Sequence, residues 1–297
     1  MEQNSWLAEQ FEASRAHLEA VAYRMLGSRV EAEDAVQEAW LRLARADTRD
    51  VANLGGWLTT VVARVCLDAL RARRARDESS LDDHADATLA NREDRPDPER
   101  EAVLADSVGV ALLVVLERLT PAERVAFVLH DMFDLSFDEI APIIGRSSEA
   151  TRQLASRGRR RVRGSGSDEG RVSADRARQR DIARAYLDAS RSGDLASLLA
   201  VLDPEVALRV DAAALPVGAP TEVRGASAVA GRALAYGHRA RYTRVALVEG
   251  RPGLVIAPSG RLSGALVLTF AGDHIVGIEL IAQPERLRAL DIATLDV

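Results

Sequence analysis

Lysine is missing from this chain, and all 39 of its basic residues are arginine. So complete an absence reads as a compositional bias of the source. It makes scattered arginine weak evidence for any partner and shifts the weight to arginines that cluster without intervening acids. Cysteine is nearly absent as well. Cys66 stands alone, which excludes an intramolecular disulfide and a thiolate metal cluster. Its neighbours Val61, Val62, Val65 and Leu70 mark it as a small buried hydrophobe. Aromatic residues make up only 4%, so any core rests on Ala, Leu, Val and Ile. No apolar run approaches the roughly 18 to 20 residues that span a bilayer. The first twenty residues carry acids where a secretion signal has a basic head and an apolar stretch. A cytoplasmic protein with no membrane partner is expected.

Hydrophobic residues at 47% and charged residues at 28% are ordinary for a globular chain, and 297 residues fit two or three compact units. The formal charge of −6 argues against a DNA-binding protein, but its distribution is uneven. Arginine clusters at Arg71–Arg76 and again at Arg152–Arg163.

Residues 5–76 read as helices. In the second, Ala32, Ala35, Val36, Ala39, Trp40 and Leu43 recur at the spacing of one buried face, with Asp34, Gln37 and Glu38 off it. In the third, Leu58, Val61, Val62, Val65 and Ala69 do the same, after a break expected at Gly55–Gly56. Residues 77–105 are acidic, Pro-containing and without sustained period, the composition of a linker. A second helical unit follows, at 106–164. It has an apolar helix through Leu112–Leu119 and then a capping box at Thr120 and Glu123, with Pro121 at the first helical position. After a short linker at 165–176, residues 177–202 read as helices. Beyond them lie β-prone runs at Val206–Val210, Tyr242–Val248, Gly253–Ile256, Ala265–Phe270 and Ile275–Ile281. The fold class expected is multidomain: two all-α domains followed by an α+β domain at 177–297.

The strongest local signal is SFDEIAPIIGRSSEATRQLASRGRRRVRG, residues 136–164. Ser136 and Glu139 form a capping box, Gly145 ends a short helix, and Ser147 or Ser148 caps a second one. Helix, Gly-containing turn, helix is the arithmetic of a helix-turn-helix. The second helix is expected to bury Ala150, Leu154 and Val162. It would turn Ser148, Glu149, Arg152, Gln153, Ser156, Arg157 and Arg160 outward. Arg can read guanine and Gln adenine in the major groove, and the downstream arginines would neutralise phosphates. Pro142 inside the first helix deletes one backbone hydrogen bond and predicts a kink.

These residues resemble region 4 of sigma factors of the extracytoplasmic-function group, in which this helix reads the −35 promoter element. Residues 11–76 resemble region 2 of the same group: FEASRAHLEAVAYRMLGSRVEAEDAVQEAWLRLAR resembles its polymerase-gripping stretch, and NLGGWLTTVVARVCLDALRARRAR the part that melts and holds the −10 element. The resemblance implies core RNA polymerase and promoter DNA as partners. It implies Asp34, Gln37 and Glu38 on the polymerase side, and Asn53, Arg71, Arg73 and Arg74 at the −10 element.

Residues 177–297 resemble the SnoaL-like branch of a cone-shaped α+β fold, on AYLDASRSGDLASLLAVLDPEVALRVD and the Asp273-His274 turn. One subgroup of these sigma factors carries this fold at its C-terminus and is thought to be regulated by it in cis, with no separate anti-sigma factor needed. Two motifs depart from that subgroup. Asp211-Ala212-Ala213-Ala214 stands where it has Asp-Gly-Gly-Gly, and Gln283-Pro284-Glu285-Arg286-Leu287 has Gln for Asn. Asp211, His274 and Pro284 are the candidate pocket or regulatory residues, and His238 is a further titratable group. No catalytic residue, metal ligand or cofactor is expected. The rival readings are a helix-turn-helix regulator with a ligand-sensing domain and an enzyme using the C-terminal pocket.

Overall fold

The computed structural model describes residues 2–46, 51, 53–79, 109–163, 172–215 and 219–294. The linker expected at 77–105 falls mostly outside them, as do the glycines and serines of 164–167. Two compact units emerge: residues 1–85 with 116–160, and residues 86–115 with 161–297.

In the first unit, α1 (Glu2–Leu26), α2 (Arg29–Leu43) and α3 (Leu54–Ser79) pack on one another. Ser28 caps α2, accepting a hydrogen bond from the Glu31 N–H. The buried face of α2 is the expected one, Ala32, Ala35, Val36, Ala39 and Leu43, with Trp40 half-buried against Phe11. Two expectations for α3 need correction. Gly55 and Gly56 do not break the chain but lie in the first turn of the helix, where the Asn53 side chain accepts from the Gly56 N–H at 3.0 Å. Ala69 is exposed, whereas Thr59, Ala63, Cys66, Leu67 and Leu70 are buried. The reason is that α3 has two sets of neighbours, α1 and α2 on one side and helices from beyond residue 116 on another. A single-face period cannot describe a helix buried on both.

The later helices are α4 (Val110–Glu117), α5 (Pro121–Phe127), a π-helical turn at Val128–Met132, α6 (Phe137–Ile144) and α7 (Ser148–Arg163). Both expected capping boxes form, Thr120 with Glu123 and Ser136 with Glu139. The helix expected through Leu112–Leu119 ends two residues earlier.

In the second unit, α8 (Val172–Ser192) and α9 (Leu195–Val201) lead into a seven-stranded sheet. Its strands are β1 (Leu202–Val210), β2 (Glu222–Arg224), β3 (Thr243–Val248), β4 (Arg251–Ile256), β5 (Gly264–Ala271), β6 (His274–Ile281) and β7 (Ile292–Ala293). They lie in the order β2-β1-β6-β5-β4-β3-β7, antiparallel throughout except for the β1–β6 pair. Further helices, α10 (Ala226–Ala235) and α11 (Pro284–Ala289), were not legible as periodic segments. The helices and one sheet face enclose an apolar core that includes Ala183, Leu187, Leu198, Val206, Val229 and Ile275. The α+β class is as expected. Within this unit the Val162 carbonyl accepts from both the N–H and the hydroxyl of Thr294, at 3.0 and 3.1 Å.

Candidate functional site

α6 and α7 form the helix-turn-helix. Gly145 closes α6 in the left-handed region at φ +74°, where a side chain would be strained. Pro142 is accommodated: it is exposed, α6 runs on to Ile144, and the Pro142 carbonyl accepts from the Arg64 guanidinium at 3.5 Å. Ser147, rather than Ser148, caps α7, its hydroxyl accepting from the Ala150 N–H at 3.2 Å. The Ser148 hydroxyl instead donates to the Asp138 carboxylate on α6.

The buried stripe of α7 is Thr151, Ala155, Gly158 and Val162. Ala150 and Leu154 are only half-buried, a shift of one position from the expected face. Gly158 sets that rotation. A Cβ there would meet the Phe127 Cβ at 3.0 Å and the Glu123 carbonyl at 3.3 Å, so α7 crosses α5 too closely for a side chain. Arg159 fixes the helix further with a 2.6 Å ion pair to Asp131. The hydrogen bond that Arg159 donates to that carboxylate raises its pKa above the ordinary value.

What remains outward is a shallow surface made by Glu149, Arg152, Gln153, Ser156, Arg157 and Arg160, all exposed. Arg152 is steadied by Glu149 at 2.9 Å and lies over the Phe137 ring at 5.4 Å. A row of guanidiniums with Gln and Ser between them can hydrogen-bond base edges and phosphates together.

On α2, Asp34 and Gln37 are exposed, and Glu38 holds Arg42 at 2.9 Å. Sequence reasoning missed Val30 and Leu41, which are 68% and 42% exposed. Val30, Asp34, Gln37 and Leu41 follow the i, i+4, i+7, i+11 spacing of one helix face. The signal was in the sequence, as two apolar residues off the buried stripe.

The residues expected at a −10 element are less uniform. Arg71 and Arg74 are exposed. Arg73 is ion-paired to Glu31 and donates to the Leu26 carbonyl at 3.4 Å, tying α3 to the α1–α2 corner. Asn53 spends its oxygen on the α3 cap. Residues 47–50 and 52, which precede Asn53, lie outside the described residues.

Where the helices of 116–160 meet α1 and α3, Arg124 is fully enclosed. Its guanidinium donates to the Arg24 carbonyl at 3.4 Å, and its Nε has no hydrogen-bond partner. Burial pulls its pKa down to about 10, against the opposing pull of Glu117. Cys66 lies in the same core, as expected of a small hydrophobe. Burial pushes its thiol up to about 12, which leaves it unreactive.

Asp211, His274 and Pro284 do not line the cavity of their unit. Burial raises the Asp211 carboxyl, but the N–H groups of Ala282 and Gln283 and the Arg286 guanidinium outweigh it and leave the pKa low. Asp211 thus fastens the end of β1 to the start of α11, at 3.0 and 3.2 Å. His274 is exposed at the start of β6, beside a turn whose Asp273 pairs with Arg178. Pro284 opens α11. Among the described residues there is no group of three His, Cys, Asp or Glu able to hold a metal, and no helix is long and apolar enough to cross a membrane.

Residues 11–76 match the family model Sigma-70 region 2, and residues 109–162 match Sigma-70, region 4. The chain is 38% identical over 302 residues to the probable ECF RNA polymerase sigma factor SigI of Mycobacterium tuberculosis, covering 98% of each chain. It is 40% identical over 221 residues to the ECF RNA polymerase sigma factor SigJ of the same organism, covering 74% of this chain and 70% of the relative. The crystal structure of the Mycobacterium tuberculosis SigJ protein aligns with 94% of this chain and 98% of its own, at 32% identity and a TM-score of 0.45.

Proposed function

This chain belongs to the extracytoplasmic-function RNA polymerase sigma factors, and from that premise we propose which surfaces do the family's work and how the molecule must move to do it. The protein is not an enzyme. It directs promoter-specific initiation by joining core RNA polymerase to promoter DNA.

The exposed face of α7 reads the −35 element, with Arg152, Gln153, Arg157 and Arg160 as the reading and phosphate-binding set. The carrying observation is that the face bearing these residues is solvent-open while Gly158 and Arg159 lock the helix from behind. Arg71 and Arg74 face the −10 region, whereas Arg73 acts as a brace. The polymerase docks on the α2 face made by Val30, Asp34, Gln37 and Leu41, whose apolar ends would be covered on binding. Leu41→Asp is expected to lower affinity for core polymerase roughly tenfold, a burial loss of about 1.5 kcal/mol. Binding of promoter DNA alone should not change. Fluorescence anisotropy with each partner checks both.

Elements named for positions −10 and −35 lie about 25 base pairs apart, roughly 85 Å at 3.4 Å per pair. Here the region 2 helix α3 and the region 4 helix α6 are in direct contact. A sigma factor in this arrangement cannot touch both elements, so it must open before it initiates. The enclosed Arg124 assists. Burial disfavours its charged guanidinium, so closure carries a desolvation cost that is relieved when water returns to it.

The C-terminal domain sets activity in cis, in place of a separate anti-sigma factor. In support, the carbonyl of Val162, in the last turn of α7, is held by Thr294 near the chain's other end. Ending the chain after Arg163 is expected to change promoter-specific transcript yield several-fold, measured beside the intact protein with core polymerase. Equal yields would make the domain a passenger.

A further inference from the structure

The C-terminal domain encloses a cavity of about 110 Å³, entirely within the second unit. Leu187, Leu208, Leu254 and Leu266 supply apolar wall. An engineered apolar cavity of roughly 150 Å³ accepts benzene, so this one suits a ring or short chain of similar size, with any polar head towards the opening. The charged groups of the described lining are of one sign. Arg232, from α10, and Arg239, from the turn after it, are both present, and among the described residues no Asp or Glu lines the cavity.

The two guanidiniums lie 5.6 and 5.5 Å from the centre of the Tyr236 ring. The Nη2 atom of Arg232 is buried with no hydrogen-bond partner. A buried donor left unsatisfied costs about 1–3 kcal/mol, more when it is charged. In a chain with a net charge of −6, carboxylates are available to satisfy it, yet among the described residues none lines the cavity. Tyr186 and Ser190 add hydroxyls to the same wall, and burial holds the Tyr186 phenol protonated, its pKa pushed up to about 12.

We propose that this cavity binds a small apolar carboxylate, its ring or chain among the leucines and its carboxylate on Arg232 and Arg239. Apolar walls supply affinity and two forked cations fix the head, the usual division of labour in a small-molecule site. The inference does not depend on how the domain affects transcription.

Fluorine NMR with the full-length protein tests it, using 4-fluorobenzoate and, as an uncharged match, 4-fluorobenzyl alcohol. The acid is expected to bind saturably, with a dissociation constant on the order of 0.1–1 mM for a ligand of this size. The alcohol should bind at least tenfold more weakly. Arg232→Leu should erase that preference while the alcohol's affinity is kept, and Ala233→Phe, which fills the cavity, should abolish both. Circular dichroism confirms folding, and Arg239→Leu gives a second reading of the same preference should Arg232→Leu fail to fold. Equal binding of acid and alcohol, saturable binding of neither, or an acid preference that survives loss of the arginine would each overturn the proposal.

Discussion

Arg157→Ala is expected to weaken binding to −35 DNA by about ten- to a hundredfold, the loss of about 1–3 kcal/mol that a good bidentate base contact supplies. Arg157 stands in the middle of the exposed α7 face, with no ion-pair partner among the described residues, so its removal leaves the fold intact. Arg152 differs. Glu149 and the Phe137 ring already hold it, so part of its interaction is spent within the protein, and Arg152→Ala should cost less. The kind of loss separates two roles. An arginine on a base edge relaxes specificity at one promoter position, whereas an arginine on phosphate weakens all sequences alike and lowers the salt slope by about one. Anisotropy titrations at several salt concentrations, with cognate and scrambled −35 duplexes, distinguish these cases. Polymerase affinity should be unchanged throughout. A parallel loss of polymerase binding at unchanged fold would mean that the faces have been misassigned.

Locking the closed unit should have the largest effect of all. Arg64 on α3 and Pro142 on α6 meet at 3.5 Å, on opposite sides of the seam that must part. Both are exposed, so cysteines placed there can be joined by a short bis-maleimide linker. Native Cys66 will not interfere, since it is buried and that burial pushes its thiol up to about 12. The linked protein is expected to lose promoter-specific initiation by at least about a hundredfold, because two blocks in contact cannot span roughly 85 Å of duplex. The same double variant without linker should retain activity. Undiminished initiation by the linked form would show that the blocks need not separate.

Much of this site was legible in the sequence because its determinants are local. Both capping boxes, the Gly145 stop and the outward set Glu149, Arg152, Gln153, Ser156, Arg157 and Arg160 follow from spacing alone. The inward set did not, since the rotation of α7 is decided by how closely it crosses α5, and Gly158 encodes that only once Phe127 is known to face it. Tertiary partners likewise account for the misreading of α3, whose second buried side exists only because later helices pack on it. Arg73 and Asp211 illustrate the remaining limit. A charged residue in a suggestive place can be a brace, and only Glu31 in one case and the Ala282 and Gln283 N–H groups in the other reveal it. Val30 and Leu41 mark the opposite error, because the notion of a polar docking face drew attention away from apolar residues on it.

Run-off transcription with the purified full-length chain, core RNA polymerase and a library of promoter-bearing templates tests the central claim most directly. Transcripts beginning at one defined position, dependent on the added protein and on sequence upstream of the start, are the result expected of a chain that grips both machine and promoter. Initiation no greater or better placed than that of core polymerase alone would contradict it.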